Sequence, residues 1–315
     1  MSGGVLVLDG AQTRAALDPG RVLATVGDAL VAVSRGQVSA PPRIAAVAPA
    51  GLLGAMPAHV PGLGLAAKLV SVFADPARPG RSSHRGVVAL FDEQDGRLLA
   101  LMDAEAVTAV RTAAVATRGM LALARPRPSR IAVVGAGAQA AAQVALLAAV
   151  RPDLPVVVGA RDLRRAEETA ARHPHATADT IEAAVRGSEV VLCCTGARTP
   201  VVEAGWLAEG AHISSVGGSS GPELGPDVVR DGTLFVEWEG AVSCAPPAGA
   251  HELQGLSPER ATLLGAVLDG RHPGRRDTSE LTVFKSTGHA ALDVAAAAVV
   301  HATARERGLG SSVDL

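Results

Sequence analysis

Apolar residues in this chain repeat at two different spacings, and the change from one to the other outlines its architecture. Residues 17–35 (LDPGRVLATVGDALVAVSR) place apolar side chains every third or fourth position, which predicts a helix with one buried face. Three short Val/Leu-rich runs follow, AAKLVSVF, GVVALFDE and RLLALMDA, each bounded by Gly, Pro or Asp as strands are. The helical spacing returns in AEAVTAVRTAAVATRGMLALA and stops at the prolines of RPRPS. From there the pattern alternates. RIAVVG predicts a strand, AQAAAQVALLAAV a helix, LPVVVGA a strand, LRRAEETAARH a helix and ADTIEAAVR another helix; the strands EVVLCCT, AHISSVG and TLFVEW follow.

Strands alternating with helices imply a parallel sheet covered on both faces, an α/β fold of the doubly wound, Rossmann type. The alternation is confined to about residues 119–287. Residues 1–118 lack it and read as a separate α+β domain. A last helix at 288–306, with no strand predicted after it, could return to pack on that first domain and make it discontinuous (1–118 with 288–315).

Composition narrows the class. The 315 residues are 48% hydrophobic and 19% charged, which suits a globular chain with a sizeable core. Aromatics are only 2%, with no tyrosine, so Ala, Val and Leu must build that core. A formal charge of −2 argues against an electrostatic nucleic-acid binder. The basic cluster ARPRPSR reads as a solvated, Pro-broken linker. No basic segment leads into an apolar one at the N-terminus, and AALDVAAAAVVHATARERG is too short and too interrupted to span a bilayer. Three cysteines, two adjacent in VVLCCTG, read as buried thiols of a reducing cytoplasm. Nine histidines show no metal-ligand spacing, and HPH at 173–175 reads as surface.

Candidate chemistry begins at RIAVVGAGAQAAAQV. Gly135-x-Gly137-x-x-Ala140 follows a strand and opens a helix: Gly135 permits the tight turn, and Gly137 lets the backbone approach a pyrophosphate. Ala140 allows close helix–strand packing, while the amides of Ala138 and Gln139 begin the helix. This is a dinucleotide-binding pattern. The next strand ends VVVGARD, with Gly159 and Ala160 where an NAD-selective fold places an acid. Arg161 beside the missing acid suits a 2′-phosphate and favours NADP(H) over NAD(H). Arg164 and Arg165 either assist or form a solvated helix face, and Asp162 reads as a helix N-cap.

One more feature is compositional. Of 29 basic residues only Lys68 and Lys285 are lysines, and Lys68 stands inside the apolar run AAKLVSVF.

The stretches PPRI, AMPAH, AAKLVSVF, GRLLALMDAEAVTAVRTAA, VVGAGAQA, WLAEGAHISSVGG and TVFKSTGHAALD…GLGSSV, in this order, resemble the ornithine cyclodeaminase/mu-crystallin family from about residue 20 to the end. The resemblance implies a Rossmann domain joined to a substrate domain that pairs two subunits, and NAD(P)H-dependent chemistry on amino acids or their imines. It places a carboxylate-binding cluster on Arg43, Lys68 and Arg111, with Lys68 catalytic, and puts Met56 and Ser219 beside the substrate. It implies cofactor contacts from Thr112, Thr195 and Ser286. Lys285 is left as either structural or functional, and His289 as facing substrate or beginning the last helix. Two departures stand out. A carboxylate that cyclodeaminases carry two residues before the Met-Pro pair is Gly54 here, and an aspartate they carry after VGG is Ser219. The sequence therefore leans towards mu-crystallin-like imine reductases, with a cyclodeaminase, an amino acid dehydrogenase and a non-catalytic crystallin-like binding protein as rival readings.

Overall fold

The computed structural model describes residues 4–73 and 84–314. The chain runs through β1 (Val5–Val7), α1 (Gly10–Ala16), α2 (Pro19–Ser34), β2 (Ile44–Ala48), β3 (Gly51–Val60), β4 (Gly64–Phe73), β5 (His84–Phe91), β6 (Leu98–Asp103) and α3 (Ala104–Leu123). It continues with β7 (Ile131–Val134), α4 (Ala138–Val150), β8 (Val156–Gly159), α5 (Leu163–Ala170), β9 (Ala176–Asp179), α6 (Ile181–Val185), β10 (Val190–Cys193) and β11 (His212–Ser215). Then come α7 (Pro226–Asp231), β12 (Thr233–Val236), α8 (Gly240–Ser243), β13 (Ala261–Leu263), α9 (Leu264–Leu268) and β14 (Thr282–Lys285), before α10 (Ala290–Arg307) and β15 (Ser311–Val313).

Two compact units result, one of residues up to Arg111 together with Ala290 onward, the other of Thr112–His289. The first boundary lies inside α3, so a single helix belongs to both units. In the first unit the described strands form one sheet in the order β15-β1-β6-β5-β4-β3-β2, antiparallel except where β1 runs alongside β6. Helix α10 packs on β3, β4, β5 and α2. It is Ala-rich and buried on nearly every side, as a helix without a polar stripe must be.

In the second unit the sheet order is β13-β12-β14-β11-β10-β7-β8-β9, all parallel. Strands β7, β8, β10, β11 and β14 are buried at every residue, and β7, β8 and β10 accordingly read as apolar runs rather than alternating ones; β14 (TVFK) was not among the expected strands. The chain leaves β7 towards β8 and β9, then returns to β10 on the opposite side. That reversal creates the crevice at the strand carboxyl ends where doubly wound folds bind ligands.

Several expectations change. The last helix is followed by a strand after all, β15, which pairs antiparallel with β1. ADTIEAAVR is not one helix: Ala178 and Asp179 finish β9, and Thr180 caps the short α6 by accepting from the Ala183 amide. ARPRPSR is no solvated linker. Arg125 Nε donates to the Thr278 carbonyl at 2.9 Å and Arg130 Nε to Ser188 Oγ at 3.1 Å, fastening the segment to the sheet. His173 is buried, its Nδ1 accepting from the His175 amide; only His175 is at the surface. Cys193 and Cys194 are buried free thiols, and Cys244 is half-buried. No helix among the described residues is long and apolar enough to cross a membrane.

Candidate active site

Alternation along β4 turns Gly64, Ala66 and Lys68 inward and leaves Leu65 and Leu69 exposed, so the lysine occupies the buried face and the leucines the outer one. Lys68 is 4% exposed, and its Nζ lies 2.8 Å from Oδ2 of Asp293, which is 1% exposed on α10. Arg111 of α3, 5% exposed, donates from Nε to the other carboxylate oxygen at 3.0 Å. Nε carries the one hydrogen bond of this guanidinium among the described residues, so its two terminal amino groups remain as a fork. Arg43, half-buried just before β2, lies close enough to Lys68 to repel its charge. Met56 on β3 stands opposite Lys68 in register.

The electrostatics follow from this geometry. Burial lowers the Lys68 pKa most, Asp293 opposes that, and Arg111 and Arg43 add to the lowering; the net shift is downward. Burial pushes Asp293 up, but Lys68 and Arg111 more than offset it and hold the carboxylate below its usual range. Lys68 and Arg111 together carry two positive charges against one from Asp293. A buried surplus of this kind is costly unless an anion neutralises it.

By sequence Asp293 is only an interruption in an apolar helix. The available signal was that it is the lone acid in AALDVAAAAVV, where an Ala-rich buried face has no other use for a charge. Gly54 is buried on β3, yet a Cβ there would meet only ordinary contacts, the nearest being Val70 Cγ1 at 3.6 Å. Packing therefore does not force glycine at the place where cyclodeaminases carry a carboxylate.

In the second unit the glycine-rich turn joins β7 to α4. Gly135 has φ +122°, and a Cβ there would lie 2.7 Å from the Cys194 carbonyl oxygen, so only glycine fits. Gly137, the N-cap of α4, has open space where its Cβ would be, and no side chain caps the helix. Ala138 and Gln139 form the first turn of α4. These features fit a phosphate seated on the helix N-terminus. Asp162 caps α5 by accepting from the Arg165 amide at 3.2 Å. Arg161 is exposed at the carboxyl end of β8, while Arg165 reaches back to the Ala136 carbonyl of the glycine turn at 3.0 Å. Arg164 pairs instead with Glu168 on the outer face of α5. A Cβ at Gly159 would lie 2.8 Å from Ala184 Cβ, so α6 packing keeps an acid away from this position.

Beside the turn lies a polar network that the sequence did not reveal. Buried Glu223 accepts from the Thr195 amide and hydroxyl (2.6 and 2.7 Å), from Ser215 Oγ (2.7 Å) and from the Gly217 amide (2.9 Å). Lys285 donates to Ser215 Oγ and to the Gly217 carbonyl, and pairs with buried Glu252 at 2.9 Å. The second lysine is thus a structural cross-link between the ends of β11 and β14. Ser286 is buried and its hydroxyl donates to Glu237, which also accepts from the Thr287 and Gly288 amides. His289 precedes α10 and rests against the Trp238 ring, centroids 5.3 Å apart. Thr112 is buried in α3, and Ser219 is exposed in the loop after β11. Glu223 and Glu237 had one readable sign, acids shortly beyond the parallel strands β11 and β12; Glu252, in a short helical turn at 251–253, had none.

The chain is similar to known proteins over nearly its whole length. The profile of the ornithine cyclodeaminase/mu-crystallin family matches residues 11–308. Ketimine reductase mu-crystallin of Mus musculus is 32% identical over 256 residues, 80% of each chain. The structure of Thermococcus litoralis Δ1-pyrroline-2-carboxylate reductase in complex with NADH and L-proline superposes with a TM-score of 0.87 at 26% identity, covering 98% of this chain and 100% of that one. An archaeal alanine dehydrogenase dimer with bound NAD superposes at 0.86 with 28% identity, covering 99% of both chains. The chain therefore belongs to the ornithine cyclodeaminase/mu-crystallin family.

Proposed function

We propose that this protein is an NADPH-dependent reductase of imines derived from 2-oxo acids, cyclic or formed from an amine, and that it yields amino-acid-type products. At the coarser level it is an oxidoreductase that acts on carbon–nitrogen bonds with a nicotinamide cofactor, in keeping with its ketimine and pyrroline-carboxylate reductase relatives. The observation that carries the finer reading is the surplus of buried positive charge around Asp293. The Arg111 fork matches a carboxylate bidentately, and Arg43 supplies a second cation for it. Gly54 and Ser219 leave no carboxylate to bind and deprotonate a second amine, which disfavours ring closure of a diamino acid. Retention of three cations disfavours a crystallin-like binder of apolar ligands.

Gly135, Gly137, Ala138, Gln139, Thr112, Thr195 and Ser286 are the residues assigned to the cofactor, with Arg161 assigned to its 2′-phosphate. Arg165 joins them, since it already touches the phosphate turn. When bound, the nicotinamide supplies the hydride that the imine carbon accepts. Arg43 and Arg111 hold the substrate carboxylate, Met56 borders it, and Lys68 donates the proton that makes the imine nitrogen cationic. A homodimer and a cytoplasmic location complete the reading; the first is supported by the dimeric alanine dehydrogenase, the second by three free thiols.

The test is a panel of cyclic imines and keto acid–amine pairs, scored by NADPH and NADH oxidation. Turnover of at least one imine, faster with NADPH, is expected. Ammonia released from ornithine or lysine with NAD+ at about 1 per second or more, with no imine reduced, would replace this reading by a cyclodeaminase.

A further inference from the structure

We infer that Asp293 is a positioning residue that keeps Lys68 charged and fixes Arg111 edge-on, and that this carboxylate sets the alkaline limit of the reaction. The inference deepens the reading of Lys68 as proton donor and rests on it only for its kinetic consequence. One carboxylate bridges two cations. Oδ2 takes the Lys68 ammonium at 2.8 Å, and Oδ1 takes Arg111 Nε at 3.0 Å. All three side chains are within a few per cent of complete burial.

The bridge has two results. By engaging Nε, Asp293 leaves the terminal amino groups of Arg111 for an incoming carboxylate instead of competing for them. As an ion pair it holds the Lys68 ammonium in place and leaves N–H groups for the substrate carboxylate and the imine nitrogen. The charged groups acting on Lys68 are Asp293 from α10, Arg111 from α3 and Arg43 from the segment before β2; Met56 and Val88, its neighbours on β3 and β5, are neutral. Burial and both arginines favour deprotonation, so Asp293 alone among these groups favours the ammonium form. Without it, Lys68 would lose its proton earlier and could no longer donate.

Because the chain has only two lysines, the charge state of Lys68 can be read directly. Protein labelled with 13C at lysine Cε should give two resonances, and their identity follows from the one that disappears in Lys68→Arg. Asp293→Asn should lower the titration midpoint of Lys68 by about 1–3 pH units, the usual effect of an opposite charge at this distance, and leave that of Lys285 in place. The alkaline limb of kcat/KM for imine reduction should fall by the same interval, and Asp293→Glu should restore both. A folded Asp293→Asn protein with an unmoved Lys68 midpoint would overturn the inference, since a merely structural role changes melting temperature alone. If Asp293→Asn does not fold, Arg111→Gln is compared with Arg111→Gln/Asp293→Asn, where one buried cation fewer remains, and the same downward shift must appear. Should the parent reduce no imine, the reductase reading fails while the resonance titration still decides the role of Asp293.

Discussion

At the scale of single residues, the question is why a lysine survives at position 68 in a chain whose other basic residues are, Lys285 apart, all arginine. Lys285 has a geometric reason: its compact ammonium meets Ser215 Oγ, the Gly217 carbonyl and Glu252 from a single point. Lys68 has a chemical one. It can release a proton, and its surroundings lower its pKa towards the working range, whereas arginine stays charged. Lys68→Arg should keep the fold and cofactor affinity and lose roughly 100- to 10,000-fold in turnover, the usual worth of a positioned acid. Single-turnover hydride transfer, with melting temperature as control, measures this; a folded variant within a few fold of the parent would reduce Lys68 to a charge. The cations of this cluster could be located from sequence because short motifs frame them. Asp293 could not. Its meaning depends on Lys68, more than two hundred residues away, and no local pattern records that contact.

At the scale of elements, legibility followed burial. The strands β7, β8 and β10 are covered on both faces and stand out as apolar runs. The expected strands of the first unit did not include β2 and β3, because Gly51, Gly54 and Pro57 break up β3 and β2 is exposed throughout. β9 (ATAD) is short and only partly buried, so its signal was absorbed into the helix that follows. The two glycines of the phosphate turn allow a sharper test. Gly135→Ala must adopt a left-handed φ against the Cys194 carbonyl, so it should destabilise by about 1–3 kcal/mol. A Cβ at Gly137 meets nothing in the protein, so Gly137→Ala should cost no more than the weaker helix cap, about 1 kcal/mol, yet fill space a phosphate needs. Calorimetric binding of NADPH should then weaken at least tenfold; unaltered affinity would move the phosphate elsewhere. A second element-level consequence concerns β11. His212 is fully buried between Thr282 and Ser214, and burial, with Arg275 nearby, pushes its pKa down to about 3. The unfolded chain takes up the proton near pH 6.5. Stability should therefore rise with pH between about 3 and 6.5, at up to 1.4 kcal/mol per unit from this residue, and be fully present above that window. Urea unfolding of the parent and His212→Gln across pH 4–8 should show the penalty of the substitution shrinking as pH falls; a constant penalty would mean that His212 takes up its proton in the fold as readily as in the unfolded chain.

At the scale of the whole molecule, the first unit turns an apolar surface outward. Antiparallel register aligns Ile44, Ala55, Leu69 and Val87 across β2, β3, β4 and β5 on the face opposite Lys68. Ile44 is 68% exposed, Leu69 40% and Val87 39%, and Leu53 and Phe73 add to the same region. Single exposed apolar residues are ordinary, but a contiguous stripe across four strands marks an interface. It lies at the β2 edge of the sheet, where unpaired backbone groups would otherwise invite uncontrolled pairing. The composition sharpens the point. Charged residues are 19% of the chain, yet the four aligned positions carry none; Arg85 and Asp103 border them in register. The homodimer proposed above would place a second copy of the chain on this stripe; the alanine dehydrogenase relative is itself a dimer. Val87 sits within the stripe, and a carboxylate there would be desolvated in any closed interface at a cost of several kcal/mol. The parent should sediment at twice the chain mass at micromolar concentration, and Val87→Glu should shift it towards the single chain. Because Val87 points away from the Lys68 face, NADPH affinity in the variant should stay at the parent value. A parent that remains a single chain at these concentrations would leave the stripe without this partner and remove the dimer from the functional reading.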